Sequence, residues 1–293
     1  MDFSAFQFPT TGSGNLSNFK TDFLKGYNDP DDAKDDLEKG VKQLADLQEK
    51  LYAQDQYSLL VIFQAMDAAG KDSTIKHVMS GINPQGCSVT SFKSPSTEEL
   101  DHNFLWRCMK ETPAKGDIGI FNRSYYEEVL VVRVHTEWLG SQKLPVSFPS
   151  GKPDNLFWQQ RYDDINHFEK HLYHNGTRIL KFFLNVSKAE QKERFLKRID
   201  SQEKNWKFSI NDIKERKYWN DYQLAYNEML RHTSTDFAPW YIIPADRKWF
   251  MQLAVCNIIV EELKSLHLHF PVVGEQQKAD LQKAKDLLLA EED

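Results

Sequence analysis

Apolar residues in this chain follow two patterns. Continuous runs at 59–63 (LLVIF), 117–121 (DIGIF), 177–186 (TRILKFFLNV) and 240–244 (WYIIP), bounded by polar or small residues, predict buried strands of a parallel sheet. A weaker alternation at 88–92 predicts another short strand. Elsewhere the spacing is helical. Leu37, Val41, Leu44, Leu47 and Leu51 draw one stripe over a helix at 31–53, and Asp31, Asp32, Asp35 and Asp36 suit its N-terminal dipole. Further helices are predicted over 71–80, ending at Gly81, and over 97–110 with Leu100, Phe104, Leu105 and Met109 facing inward. Another covers 156–174 with Trp158, Tyr162, Ile165, Phe168 and Leu172 in the core, and an amphipathic packing helix covers 249–266. NPQG at 83–86 reads as a turn, 113–116 as a break and 140–155 as a surface loop. Residues 1–27 look irregular, with Phe3, Phe6 and Phe8 pinning the arm to a surface, while 275–293 suits an exposed helix or an oligomer arm. Strands alternating with helices imply an α/β fold.

Composition narrows the function more by exclusion than by assertion. A chain of 293 residues can form one large α/β domain or two small ones. A net charge of −6 gives no overall field for nucleic acid or an anionic membrane, so any polyanion must meet a local basic patch. Cys87, Cys108 and Cys256 lie too far apart for a disulfide framework or a metal spacing, which favours a reduced, cytoplasmic setting. The N-terminus lacks the basic and apolar regions of a signal peptide, and no apolar run is long enough to span a membrane.

The chemistry gathers at 59–74, LLVIFQAMDAAGKDST. A buried strand running into a small-residue turn and a helix is the setting in which backbone N–H groups bind phosphate oxygens. Gly70 lets the backbone approach, and Lys71 supplies a charge. The P-loop pattern G-x-x-x-x-G-K-[ST] is met imperfectly, with Ala65 at its first Gly and Asp72 at its last position. An ordinary strand–turn–helix is the competing reading. An acid in a phosphate cradle repels phosphate unless a divalent cation lies between them, so Asp67 is a metal ligand or else a helix N-cap. At the end of the next buried strand stands NRSYYEE, 122–128, where open α/β sheets bind ligands. Many P-loop enzymes place a metal-holding acid here; this chain has Asn122. Arg123 is a phosphoryl-clamping candidate, or an arginine paired to Glu127 or Glu128.

Residues 188–217 carry ten Lys or Arg against six Asp or Glu, around Trp206 and Phe208. Such a stretch is a solvated face or, after a phosphate loop, a mobile cationic lid. His167, His171 and His174 share a helix at spacings that mimic a metal pair, without the H-E-x-x-H order, which favours a solvated or packed face.

The succession AMDAAGKDST (65–74), NPQG (83–86), FNRSYYEEVLVVRVH (121–135), INHFEKHL (165–172), LKFFLNVSKAEQKERFLKRI (180–199), NWKFS (205–209) and APWYIIPADRKWF (238–250) resembles the type 2 polyphosphate kinases. It is most similar to their class III members, which phosphorylate nucleoside mono- and diphosphates, and it covers about residues 35–270. The resemblance implies a three-layer α/β/α P-loop kinase fold with a parallel sheet and a helical lid, similar to thymidylate kinase. It implies one domain over 1–293, with an arm at 1–30, the lid at 188–217 and a helical tail at 271–293. It implies transfer of the terminal phosphoryl group of inorganic polyphosphate to AMP or ADP with magnesium, or manganese in its place, by a homodimer or homotetramer. Carried over by position, Asp67 matches the metal-binding acid, Lys71 the loop lysine and Arg123 the phosphate-clamping arginine. Asn122 is the class III form of a position held by Asp in relatives acting on diphosphates. Ala68, Ala69, Gly70, Asp72, Ser73 and Thr74 complete the phosphate loop; Arg198, Lys204 and Lys207 fall in the lid, and Arg133 is a further phosphate-binding candidate. Ala65, Asp72 and Ser73 depart from other forms of the loop, with loop stiffness the expected consequence. An ATP-dependent nucleoside monophosphate kinase of similar fold, and a nucleotide-binding regulatory module without turnover, are the rival readings.

Overall fold

Strand β1 (Ser58–Gln64) is buried at every position, and the sheet is built around it. The structure, a computed structural model, describes residues 3–146, 148 and 152–291, and only the backbone of Lys207. Among these residues β1 pairs in parallel with β3 (Ile118–Asn122) and β4 (Thr177–Asn185); β2 (Cys87–Ser91) flanks β3, and β5 (Trp240–Pro244) flanks β4. The order is β2-β3-β1-β4-β5. All the strand ends that carry chemistry therefore point the same way.

Helix α1 (Pro30–Gln54) starts at Asp29, whose carboxylate accepts from the N–H groups of Asp31 and Asp32, and buries Leu37, Leu44 and Leu51. It packs on α10 (Lys248–Ser265), which also touches α2 (Lys71–Val78). A Cβ at Gly40 of α1 would come within 3.0 Å of Cys256 Sγ, so a glycine permits this close helix contact. The expectation of an amphipathic α10 is corrected: Leu253 to Cys256 and Ile258 to Val260 are all buried, because helices and the sheet enclose it. A second layer is formed by α6 (Asn155–His174) and α9 (Trp219–Thr233), which pack together; Lys181 and Phe183 of β4 face them. Of the predicted core of α6, Leu172 is only partly buried.

The helix expected over 97–110 is instead α3 (Thr97–Asp101) and α4 (Trp106–Met109). Asn103 explains the break. Its side-chain oxygen accepts from Leu105 N–H, offering the backbone an alternative to the helix. Arg107 and Cys108 take the buried positions, and Met109 is exposed. A short helix α5 (Val131–Val134) and a 3-10 segment Thr136–Gln142 follow β3; the latter occupies the start of the loop expected at 140–155, of which 147 and 149–151 lie outside the described residues.

The aromatic arm behaves as its pattern predicts. Phe3, Phe6 and Phe8 are buried. Phe8 N–H donates to Trp240 O at 2.7 Å, so the arm covers the open edge of β5. Residues 188–217 form α7 (Lys188–Asp200), a 3-10 turn at Asn205–Lys207 and α8 (Ile210–Glu215), with a 3-10 turn Arg216–Tyr218 completing the passage to α9. Helix α11 (Glu275–Leu289) is exposed along its whole length.

Candidate active site

The turn between β1 and α2 is shaped from within. Gly70, at φ 111°, occupies left-handed backbone that a side chain would strain, and it caps α2. Asp67 is thus not the N-cap of that helix. Lys71 Nζ folds back to donate to Ala65 O at 2.9 Å. Gln191 Nε2 donates to Asp67 O at 2.9 Å. Arg194 of α7 donates to Ala69 O at 2.5 Å, Ala68 O at 3.2 Å and, across to β5, Ala245 O at 2.5 Å. The hydroxyls of Ser73 and Thr74 both donate to Gly70 O. The carbonyls of this loop are thus bound from within by side chains.

From the neighbouring strand, β3, come the partners. Asn122 Nδ2 donates to Asp72 Oδ1 at 2.8 Å, tying the start of α2 to the end of β3. Arg123 N–H donates to Phe63 O at 3.0 Å, and its Nη2 meets Asp67 Oδ1 at 3.0 Å. Arg123 therefore pairs with the loop acid, whereas Glu128 pairs with Arg161 at 2.9 Å. Glu127 stays close by. Burial pushes its carboxyl up against the pull of Arg123 and Lys71, and Glu127 is the chief influence holding Arg123 charged, ahead of Asp67. With its amide turned to satisfy both neighbours, Gln64 at the end of β1 donates to Glu127 Oε1 at 2.8 Å and accepts from Ser124. Burial, then the Arg123 charge, lowers the Lys71 ammonium to about 8, against Asp67, Glu127 and Asp72. An anion placed beside it would offset that burden.

The segment 188–217 leans over this group. Asp212 of α8 lies 3.6 Å from Arg198. Burial first, and Asp67 next, push its carboxyl up, while Arg198 and Arg123 oppose. Glu215 joins α8 to the body through His135 Nε2 at 2.9 Å and the Tyr222 hydroxyl at 2.7 Å. Lys204 and Lys197 crowd Lys248, at the start of α10; burial and then Arg194 are the larger causes that lower the Lys248 ammonium. The side chain of Lys207 lies outside the description. The structure does not bring Arg133 to the loop: its guanidinium donates to the Tyr162 hydroxyl at 2.6 Å and lies over Trp158. His167, His171 and His174 are exposed on α6.

Beside the Arg123 turn, on the β2–β3 side, is a cavity of about 260 Å³ lined by Leu100, Phe104, Arg107, Glu128, Phe157 and Arg161 among others. The Arg161 guanidinium sits between the rings of Phe104 and Phe157, 4.9 Å from each. An aromatic and guanidinium wall of this kind suits a flat heterocycle.

Among the described residues no three His, Cys, Asp or Glu gather into a metal cluster. The donors present still fit a hard cation of the magnesium type. Such an ion keeps several waters and binds one or two carboxylates plus substrate phosphates. Asp67 offers the carboxylate, and Asn122, whose amide donates to Asp72, keeps its carbonyl oxygen as a further neutral donor atom.

Sequence reasoning passed over Arg194, Lys248, Asp212 and the cavity, and it weighed Glu127 only as a partner for Arg123. Arg194 was visible only as one of the charges in 188–217, and only the packed chain shows that it turns inward.

Known proteins share this fold and much of this sequence. The family model described as Polyphosphate kinase 2 matches residues 27–271. The chain is 52% identical over 249 residues to an ADP-polyphosphate phosphotransferase of Rhodopseudomonas palustris, covering 85% of each chain. It is 46% identical over 230 residues to an AMP/ADP-polyphosphate phosphotransferase of Meiothermus ruber, covering 78% of this chain and 80% of that one. The crystal structure of Polyphosphate Kinase 2 from Arthrobacter aurescens superposes with a TM-score of 0.87 at 36% identity, over 98% of this chain and 99% of that one. A sheet-end site of this build, in a chain matched over most of its length, has one reading: the protein belongs to the polyphosphate kinase 2 family.

Proposed function

We propose that the protein moves the terminal phosphoryl group of inorganic polyphosphate onto AMP and ADP, giving ADP and ATP. The observation that carries this is the convergence of Asp67, Lys71 and Arg123 at the adjoining ends of β1 and β3 in a chain of this family. A phosphate oxygen of the acceptor attacks the terminal phosphorus of the polymer. The anhydride bond behind that phosphorus breaks, and the shortened chain leaves with the bonding electrons. The new bond is again a phosphoanhydride, so the exchange is close to isoenergetic and reversible.

Such transfer needs alignment and charge neutralisation more than covalent help. The loop amides and Lys71 hold the transferring phosphate, and Arg123 neutralises the charge on its oxygens. A divalent ion at Asp67 and Asn122, magnesium or in its place manganese, would neutralise donor and acceptor oxygens when bound. The cavity beside the turn takes the acceptor base against Phe104 and Phe157. Residues 188–217 act as a lid whose Arg198, Lys204, Lys207 and the neighbouring Lys248 track the polymer and exclude water, the competing acceptor. The chain acts as one kinase domain, assembled as a dimer or tetramer.

Incubation with AMP and a divalent cation, with polyphosphate or ATP as the sole donor, tests the reading by chromatography of the nucleotides. ADP followed by ATP from polyphosphate is expected. ADP formed only when ATP is the donor favours a nucleoside monophosphate kinase, and binding without product favours a regulatory module.

A further inference from the structure

Arg123 sits at φ 66°, a left-handed conformation costly for a residue with a side chain and kept only where the surroundings enforce it. Just after it in the chain, a buried polar cluster holds the turn from the α6–α9 side of the sheet. The two residues after Ser124 are Tyr125 and Tyr126, both wholly buried. Their hydroxyls donate to the same oxygen, Glu169 Oε1 of α6, at 2.9 and 2.7 Å. The other oxygen, Oε2, accepts from Lys181 Nζ at 2.7 Å. Lys181 also donates to Tyr126 Oη at 3.0 Å and to Thr233 O at 2.6 Å, so all three ammonium protons have partners. Lys181 and Glu169 are 0% exposed. Burial, then Glu169, holds both phenols well above their ordinary range, so they remain donors.

Stability alone does not account for this cluster. Burying an ion pair costs desolvation, and apolar residues of equal volume are often as stable or more so. What a saturated polar cluster does supply is one geometry. It fixes the turn to β4, and Lys181 stands opposite Ile62 of β1, the strand that ends in the phosphate loop. The cluster thus links the Arg123 turn to the frame that carries Asp67 and Lys71.

We propose that Lys181, Glu169, Tyr125 and Tyr126 are positioning residues for phosphoryl transfer, holding the turn that aims Arg123 at Asp67 and the transferring group. The proposal rests on the function proposed above. Arg123 acts chiefly on charge in the transition state, so misaiming it lowers kcat more than it raises KM.

Two variants test this: Tyr125→Phe, which removes one hydroxyl and leaves Glu169 paired, and the fourfold Lys181→Met, Glu169→Leu, Tyr125→Phe, Tyr126→Phe, which replaces the cluster by apolar groups. Turnover is measured with whichever donor the wild-type protein uses, so that failure of polyphosphate as donor counts against the function and not against this inference. The fourfold variant should melt cooperatively, hold KM for the donor within about twofold, and lose about 10²-fold in kcat, the scale of a misplacement of about 1 Å. Tyr125→Phe should fall in the same direction by less. In the fourfold background Arg123→Ala should cost little more, because the guanidinium is already misaimed. A fourfold variant with near-wild-type kcat, or one in which Arg123→Ala costs its full wild-type effect, overturns the proposal. Should that variant not fold, unchanged kcat in Tyr125→Phe overturns it alone.

Discussion

Arg194 and Arg198 are one helical turn apart on α7 and have different employments. Arg194, 6% exposed in its side chain, donates to carbonyls of the loop and of the end of β5 and to Glu190. Arg198, 26% exposed, has Asp212 at 3.6 Å and a place over the Phe195 ring. A guanidinium whose donors are engaged by backbone builds the shape of a site, whereas one loosely held by a carboxylate can exchange that partner for a phosphate. The same contrast separates the two halves of the site. Asp67, Lys71, Asn122 and Arg123 are fixed by strand ends and mutual contacts, while Arg198, Lys204 and Lys248 stand on the segment 188–217 and the rim facing it. On the function proposed above, the fixed half serves the transition state and the other half captures the polymer.

The largest effect should come from the fixed half. Lys71→Ala and Arg123→Ala should each lose about 10²–10³-fold in kcat, measured in steady state with saturating AMP, with donor KM little changed for Arg123→Ala and raised for Lys71→Ala. Arg194→Ala strikes the scaffold and leaves several buried carbonyls without a donor. Its unfolding midpoint in urea should fall by an amount worth about 3 kcal/mol, and activity should fall with it. Arg198→Ala should keep the wild-type midpoint and kcat but raise KM for polyphosphate about tenfold, equivalent to ~1.4 kcal/mol.

A smaller effect sharpens the role of Asn122. Asn122→Asp adds a fixed negative charge where the proposed reaction brings the AMP phosphate, and sets two carboxylates where Asn122 now donates to Asp72 at 2.8 Å. The ratio of kcat/KM for ADP over AMP should rise; an unchanged ratio removes the charge argument.

The smallest is a pH effect. Lys71 titrates at about 8 in the folded chain against 10.5 for an ordinary lysine. The folded state therefore binds fewer protons than the unfolded state between these values. The cost of burying the charged lysine is fully present below about 8 and is relieved as pH rises toward 10.5. Capture runs the other way: kcat/KM for polyphosphate should fall as pH rises through about 8, since the free enzyme loses the loop charge. Bound phosphates hold that proton, so the limb in kcat should lie at higher pH.

Much of the fixed half could be read from the sequence, because it depends on local order. An apolar run, a Gly-Lys turn and a polar cluster ending the next strand are adjacent in the chain, and β1, β3, β4 and β5 follow apolar runs directly. Strand β2 reads more weakly because among the described residues it pairs only with β3 and is mostly open to solvent. The break at Asn103 was hidden, since a single side-chain hydrogen bond decides it against good helical spacing. Arg194 was illegible for another reason. Ten cations in 188–217 look alike as a string, and only the fold distinguishes the one that turns toward Ala69 O from the one that faces Asp212. The Glu169–Lys181 pair escaped because its partners are 12 residues apart on different elements, within stretches that each read as core.

Steady-state kinetics of Arg123→Ala and Arg198→Ala, side by side with polyphosphate as the varied donor, test the division of labour most directly. The first should lose kcat at nearly constant KM, and the second should raise KM at nearly constant kcat. Equal losses of the same kind in both, or the reverse assignment, would contradict it.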